Sequence, residues 1–118
     1  KALADEITHE DEKSIHKIVY EPYGVATVIT PWNFPVGMFI WGTIPSLIAG
    51  NTVVFKISEE CPLVGKLIEE IMNSKDLPKG VFSEIYGDGS VGQTLVASDV
   101  NLLYLKIKIS KMISLKFI

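Results

Sequence analysis

Few side chains in this sequence are equipped for covalent chemistry. Cys61 is the single cysteine, so it is the only thiol that could serve as a nucleophile. One cysteine also rules out an internal disulfide and a cysteine-rich metal centre. It stands in Ser58-Glu59-Glu60-Cys61-Pro62, which reads as a helix start, with Ser or Glu capping and acids in the first turn. Those acids are poor neighbours for an activated thiol, and the position reads as structural. His9 and His16 lie in a polar segment, too few and too far from other ligand types for zinc, and read as surface residues. Asn33 is different. It is the one amide in Thr30-Pro31-Trp32-Asn33-Phe34-Pro35, where it either bonds to its own backbone or presents its amide to a ligand. Gly87-Asp88-Gly89-Ser90-Val91-Gly92 directly follows an apolar run. Its glycines let a backbone turn sharply and approach a ligand, although the same pattern also makes an ordinary β–α turn. Lys56 closes another apolar run, where a lysine can simply be solvated.

These residues need elements to hold them. The run at 24–30 is β-branched and predicts a strand. Pro31 and Pro35 then remove two backbone donors and fix φ, so neither strand nor helix passes through them. Residues 36–49 predict a helix apolar nearly all round, hence buried between layers, with Phe39 and Trp41 in the core. Pro45 predicts a kink or local break in it. Gly50-Asn51 ends it, and 52–56 predicts a strand buried on both faces. Apolar residues at spacings of 3 and 4 predict a helix over 63–73. A strand at 81–86, a short helix at 90–97 and a strand at 100–105 follow. The order β-α-β-α-β-α-β implies right-handed crossovers and a parallel sheet covered on both faces. The fold class is α/β, a partial Rossmann-like sheet, and the loop carrying Asn33 falls where such sheets present their chemistry.

The ends differ from the middle. Residues 1–22 form a polar lead-in: 1–14 reads as a solvated loop or helix end and 15–21 as an edge strand. Residues 23–105 form the main α/β unit. Residues 106–118 contain only Lys, Ile, Ser, Met, Leu and Phe. That stretch reads as a basic amphipathic element or, with more weight, as a truncated or frameshifted end. A net charge of −3 and pI near 5.3 argue against a nucleic-acid ligand. No apolar run free of Pro and Gly reaches the length of a membrane span. The charged N-terminus lacks the apolar core of a signal peptide, so a cytoplasmic location is expected.

Taken together, the segments Tyr20-Glu21-Pro22-Tyr23-Gly24-Val25, Ile29-Thr30-Pro31-Trp32-Asn33-Phe34-Pro35, Ala49-Gly50-Asn51-Thr52-Val53-Val54-Phe55-Lys56, Ser58-Glu59, Leu77-Pro78-Lys79-Gly80-Val81 and Gly87-Asp88-Gly89 resemble the NAD(P)-dependent aldehyde dehydrogenase superfamily. Each is weak alone; the ordered set is specific. The resemblance implies that residues 23–105 are a partial dinucleotide-binding domain and that Asn33 donates its side-chain amide to an oxyanion. It implies that Lys56 and Glu59, with Ser58 in the same run, hold the adenosine ribose. A carboxylate at Glu59 repels a 2′-phosphate, which favours NAD over NADP. Ile29, Thr30, Pro31 and Trp32 correspond to the wall beside the cofactor. Gly89 and Gly92 correspond to the turn opening the helix next to the pyrophosphate. Phe34, Met38 and Trp41 correspond to an apolar substrate approach.

Departures from the family pattern set a second expectation. Ile57 stands where a proline is usual. The family's Phe-Thr-Gly-Ser loop has no match after Tyr104, and its general-base glutamate and nucleophilic cysteine have no counterpart. The chain is therefore expected to be a fragment of an enzyme that oxidises aldehydes, inactive alone, with weak or no NAD binding of its own, and prone to self-association or homo-oligomer formation. The alternatives are a non-catalytic nucleotide-binding module and an inactive structural or interaction remnant.

Overall fold

The computed structural model describes residues 4–105; the expectation for residues 106–118 lies outside them. The element order is β1 (Glu6–Glu10), β2 (Ile15–Ile18), β3 (Val25–Ile29), α1 (Pro35–Ile48), β4 (Thr52–Lys56), α2 (Pro62–Asn73), β5 (Phe82–Ile85), α3 (Gly89–Ala97) and β6 (Leu102–Leu105). Four strands form a parallel sheet in the order β5-β4-β3-β6. The architecture is α/β, as the alternation of strand and helix patterns predicts.

The order of strands fixes where the chemistry can sit. From β3 the chain moves outward to β4 and then β5. It then returns to place β6 on the other side of β3. The strand order thus reverses between β3 and β6, and crevices at such reversals, outside the carboxyl ends of the strands, are where open α/β sheets take their ligands. The 30–34 loop leaves from that point.

Strand alternation sorts the side chains. Ala26, Val28, Val53 and Phe55 face Phe39 of α1 and Ile68 and Met72 of α2, forming the core. Phe55 is fully buried, with ring centroids 5.0 Å from Phe39 and 6.3 Å from Phe82. Lys56 takes the opposite face, toward α3. Asn51 ties the layers together at the other end of the strands. Its Oδ1 accepts from the Gly24 N–H at 3.0 Å and its Nδ2 donates to the Ser46 carbonyl at 3.0 Å.

Four sequence expectations are corrected. Residues 6–10 are not loop or helix but β1, paired antiparallel with β2 in a separate, exposed hairpin. Its turn is built on Asp11, whose Oδ1 accepts from the Lys13 and Ser14 N–H groups at 2.8 Å each. Second, α1 buries one face only: Met38, Phe39, Gly42, Thr43 and Ser46 are covered, whereas Trp41 is 60% exposed and is not a core residue. Apolar composition alone does not create a neighbour on the far side. Third, the local break offered as one outcome at Pro45 does not occur: α1 continues through it to Ile48. The carbonyl that loses its donor is that of Trp41, on the exposed side where solvent can replace it. Fourth, α2 is capped by Cys61, not Ser58 or a glutamate, with no side-chain cap bond and Pro62 at its start. Among the described residues, no helix is long and apolar enough to cross a membrane.

Candidate functional site

β3 and β4 end side by side, Ile29 opposite Lys56. The Thr30 N–H donates to the Lys56 carbonyl at 3.0 Å, so the ladder extends one residue past the last strand pair. Thr30 is buried, and its hydroxyl oxygen has no partner among the described residues. Pro31 then ends the pairing, and Trp32, Asn33 and Phe34 swing out exposed.

The loop closes on a constrained step. Phe34 adopts φ 59°, ψ 47° as the N-cap of α1. A left-handed conformation is costly for a residue with a bulky side chain. Its ring covers Gly37, where a Cβ would run into the Phe34 ring, and lies 5.6 Å from the Trp41 ring. Pro35, with φ fixed for a helix start, follows. Asn33 is thereby followed by two constrained residues. Its side chain makes no hydrogen bond among the described residues, so the amide is not spent on its own backbone.

Lys56 is 3% exposed. Its Nζ donates to the Ile57 carbonyl at 3.2 Å, and Glu59 Oε2 lies 3.9 Å away, beyond hydrogen-bond length. An ammonium has three donors, and among the described residues only one is spent. Ser58, also buried, turns the chain: its Oγ accepts from the Glu60 N–H at 3.3 Å and its carbonyl from the Cys61 N–H at 3.0 Å. Glu59 is left exposed beside the buried amine.

α3 starts on the same side. A Cβ on Gly92 would lie 3.9 Å from the Lys56 Cδ and Cε atoms. Asp88 caps this helix, accepting from the Ser90 N–H at 2.9 Å and from its hydroxyl at 2.6 Å. Those two bonds, with a smaller pull from Lys56, lower the carboxyl pKa of Asp88. The residue that needs to be glycine for the turn is Gly87, with φ +145°; Gly89 is simply the first helical residue.

The structure thus gathers Ile29, Thr30, Lys56, Ser58, Glu59 and Gly92 at one edge of the sheet, with Trp32 and Asn33 on the adjoining loop. Cys61, read from sequence as merely structural, has a positioning contact: its Sγ donates to the Trp32 carbonyl at 3.4 Å. Trp32, Glu60 and Cys61 line a cleft of about 400 Å³. A thiol in a helix-start pattern gave no sign of that partner, because Trp32 is remote in sequence. Among the described residues, no cluster of three or more His, Cys, Asp or Glu side chains could hold a metal.

Comparisons with known proteins agree with this geometry. The profile of the Aldehyde dehydrogenase family matches residues 1–105. The chain is 44% identical over 82 residues to a 2,5-dioxopentanoate dehydrogenase of Saccharolobus solfataricus, covering 69% of this chain and 17% of that protein. It is 39% identical over 88 residues to a 4,4'-diapolycopene aldehyde oxidase of a Methylomonas species, covering 75% and 17%. Among solved structures, PnpE from Pseudomonas sp. WBC-3 superposes with a TM-score of 0.78 at 36% identity, over 86% of this chain and 21% of that one. The chain therefore spans about a fifth or less of the relatives it matches. The profile match over most of its length, laid on the same parallel sheet, places the chain in the aldehyde dehydrogenase family.

Proposed function

We propose that this chain is the cofactor-binding portion of an aldehyde dehydrogenase whose whole protein oxidises an aldehyde to a carboxylic acid, with NAD preferred to NADP. The observation that carries the reading is Lys56: a buried ammonium with unspent donors, at the carboxyl end of a parallel sheet, beside the first turn of α3. Lys56, Ser58 and Glu59 hold the adenosine ribose. A lysine donates to a ribose oxygen and an exposed carboxylate accepts from both hydroxyls, while repelling a 2′-phosphate. Ile29, Thr30, Pro31 and Trp32 form the wall beside the cofactor, and the buried Thr30 hydroxyl, unpartnered among the described residues, fits a polar ligand there. Gly89 and Gly92 keep the start of α3 free of side-chain bulk, where a helix N-terminus favours a pyrophosphate. NAD, when bound, accepts the hydride that aldehyde oxidation releases.

Asn33 supplies the second function. Its free amide on a constrained loop is suited to donate to the oxyanion formed when a thiolate adds to the aldehyde. A positioned donor of that kind contributes roughly 3–4 kcal/mol to the transition state. By itself the 118-residue chain does not oxidise aldehydes, because its one cysteine stands at the N-cap of α2 with its thiol bonded to the Trp32 carbonyl. The exposed apolar residues Val36, Ile40, Trp41 and Ile48 of α1 and Leu63, Leu67 and Ile71 of α2 support self-association when the chain is alone. A cytoplasmic site of action accompanies this reading.

Calorimetric titration of the chain with NAD tests the binding role. Heat that disappears in Glu59→Ala supports it, and a flat wild-type trace removes it in favour of the structural alternative. NADH formation from a sample of verified mass would overturn the predicted inactivity.

A further inference from the structure

Glu84 stands on β5 directly opposite Phe55 of β4, on the face of the sheet that carries the core. Both of its carboxyl oxygens are buried, and neither has a hydrogen-bond partner among the described residues. α2 lies straight over it. A Cβ on Gly65 would fall 2.5 Å from Glu84 Oε1, 2.8 Å from Ile57 Cγ2 and 3.0 Å from Tyr86 Cε1, so the helix backbone itself is the lid on the carboxyl.

The ionisable groups beside Glu84 are Glu69, from α2, and Tyr86, one residue past β5. Tyr86 donates its hydroxyl to Glu69 Oε2 at 3.2 Å. β4 offers only the Phe55 ring. Among the described residues, no lysine or histidine pairs with either acid. A neutral Glu84 is tolerable here. An ionised one is desolvated and next to a second carboxylate, and the nearby Tyr86 hydroxyl, already donated to Glu69, offsets only a smaller part of that cost.

We infer that Glu84 is a proton-operated latch between α2 and the edge strand β5: neutral, it lets the helix seat on the strand; ionised, it loosens the helix. Burial, and then the charge of Glu69, push its pKa from 4.5 up to about 7 against a smaller downward pull from the Tyr86 hydroxyl. The folded form therefore holds the proton more tightly than the unfolded chain. The stability this contributes is full below pH 4.5, is lost as the pH rises from there through about 7, and changes no further above. The first turn of α2 begins at Cys61, whose Sγ holds the Trp32 carbonyl, so loosening the helix reaches the 30–34 loop. That last consequence rests on the function proposed above; the latch does not.

Two measurements on the full chain test it. Carboxyl-carbon NMR titration should place the Glu84 midpoint near 7, and lower it in Glu69→Gln, which keeps an acceptor for Tyr86 but removes the like charge. A midpoint near 4.5, the ordinary glutamate value, or one indifferent to Glu69→Gln, overturns the proposal. Hydrogen exchange of α2 amides, corrected for intrinsic rates, should lose at least about tenfold in protection between about pH 5 and about pH 8, the change that one unit of differential pKa brings. Glu84→Gln should abolish that loss. An equal loss in Glu84→Gln, or none in the wild type, overturns it. The titration of wild type and Glu69→Gln still decides the matter should Glu84→Gln fail to fold. A failure of NAD binding leaves both readouts standing.

Discussion

The buried Nζ of Lys56 lies 3.9 Å from the exposed Oε2 of Glu59, near enough to be attracted and too far to be bonded. A lysine held this way costs desolvation that its single bond to the Ile57 carbonyl does not fully offset. Lys56→Met keeps the stem and removes the charge. The expected outcome is a chain more stable by roughly 1 kcal/mol with NAD affinity down at least about tenfold. Chemical denaturation and calorimetric titration of the same sample measure the two. A variant that loses both stability and binding would show that the lysine serves the fold.

The aromatic cluster makes the core sensitive at one position. Phe55 is 0% exposed and packs against Phe39 and Phe82. Phe55→Ala should cost about 3–5 kcal/mol, the transfer loss plus an unfilled cavity, read as a fall in the urea midpoint with unchanged slope.

Asn51 is buried and bonded at both ends of its amide, to the Gly24 N–H and the Ser46 carbonyl. Asn51→Ala leaves the Gly24 N–H unsatisfied, whereas the Ser46 carbonyl keeps the backbone N–H of residue 51, and should destabilise by roughly 1–3 kcal/mol. The Gly24 amide should become one of the faster-exchanging groups near β3, which hydrogen exchange by NMR will resolve.

Asp88 titrates in the opposite sense to Glu84. Its bonds to Ser90 lower its pKa from the ordinary 3.8, so its stabilising effect is present above that value and is lost as the pH falls through the folded pKa. Acidification should fray the start of α3 before the sheet opens. Asp88→Asn, which can still cap, should remove the pH dependence while keeping the helix, as followed by the backbone shifts of residues 89–92.

Much of the sheet and its loop was legible because the signals were local. Pro31 and Pro35 bracket the loop by removing donors, and the β-branched runs beside them match β3 and β4. The lysine at the end of β4 was visible as an outlier in an apolar strand. Of the hairpin at 6–18, the second strand was read from the alternation at 15–21, but β1 was not, since its residues are mostly polar and nothing buries them. The turn between the two strands rests on Asp11, which accepts from the amides two and three residues on, a bond not anticipated from the sequence. Trp41 failed for another reason. Apolar character sets what a residue would prefer to meet, and only the tertiary arrangement decides whether it meets anything. Glu84 was missed because an acid in a strand ordinarily faces water. Its burial follows from register, through Phe55 opposite and Gly65 above, and no window of sequence contains those neighbours together.

The position of β3 at the inner edge of the strand reversal also sets the order of assembly. β4 and β5 can dock in turn, each closing a short right-handed crossover. β6 cannot: the bond from the Val25 N–H to Asn101 Oδ1 spans 76 residues, and the loop entropy of that closure is spent before any pairing repays it. Until then one side of β3 presents an unpaired, apolar backbone edge, a template for the wrong strand. The interval between making residue 29 and placing residue 102 is therefore when this fold is most exposed to misassembly.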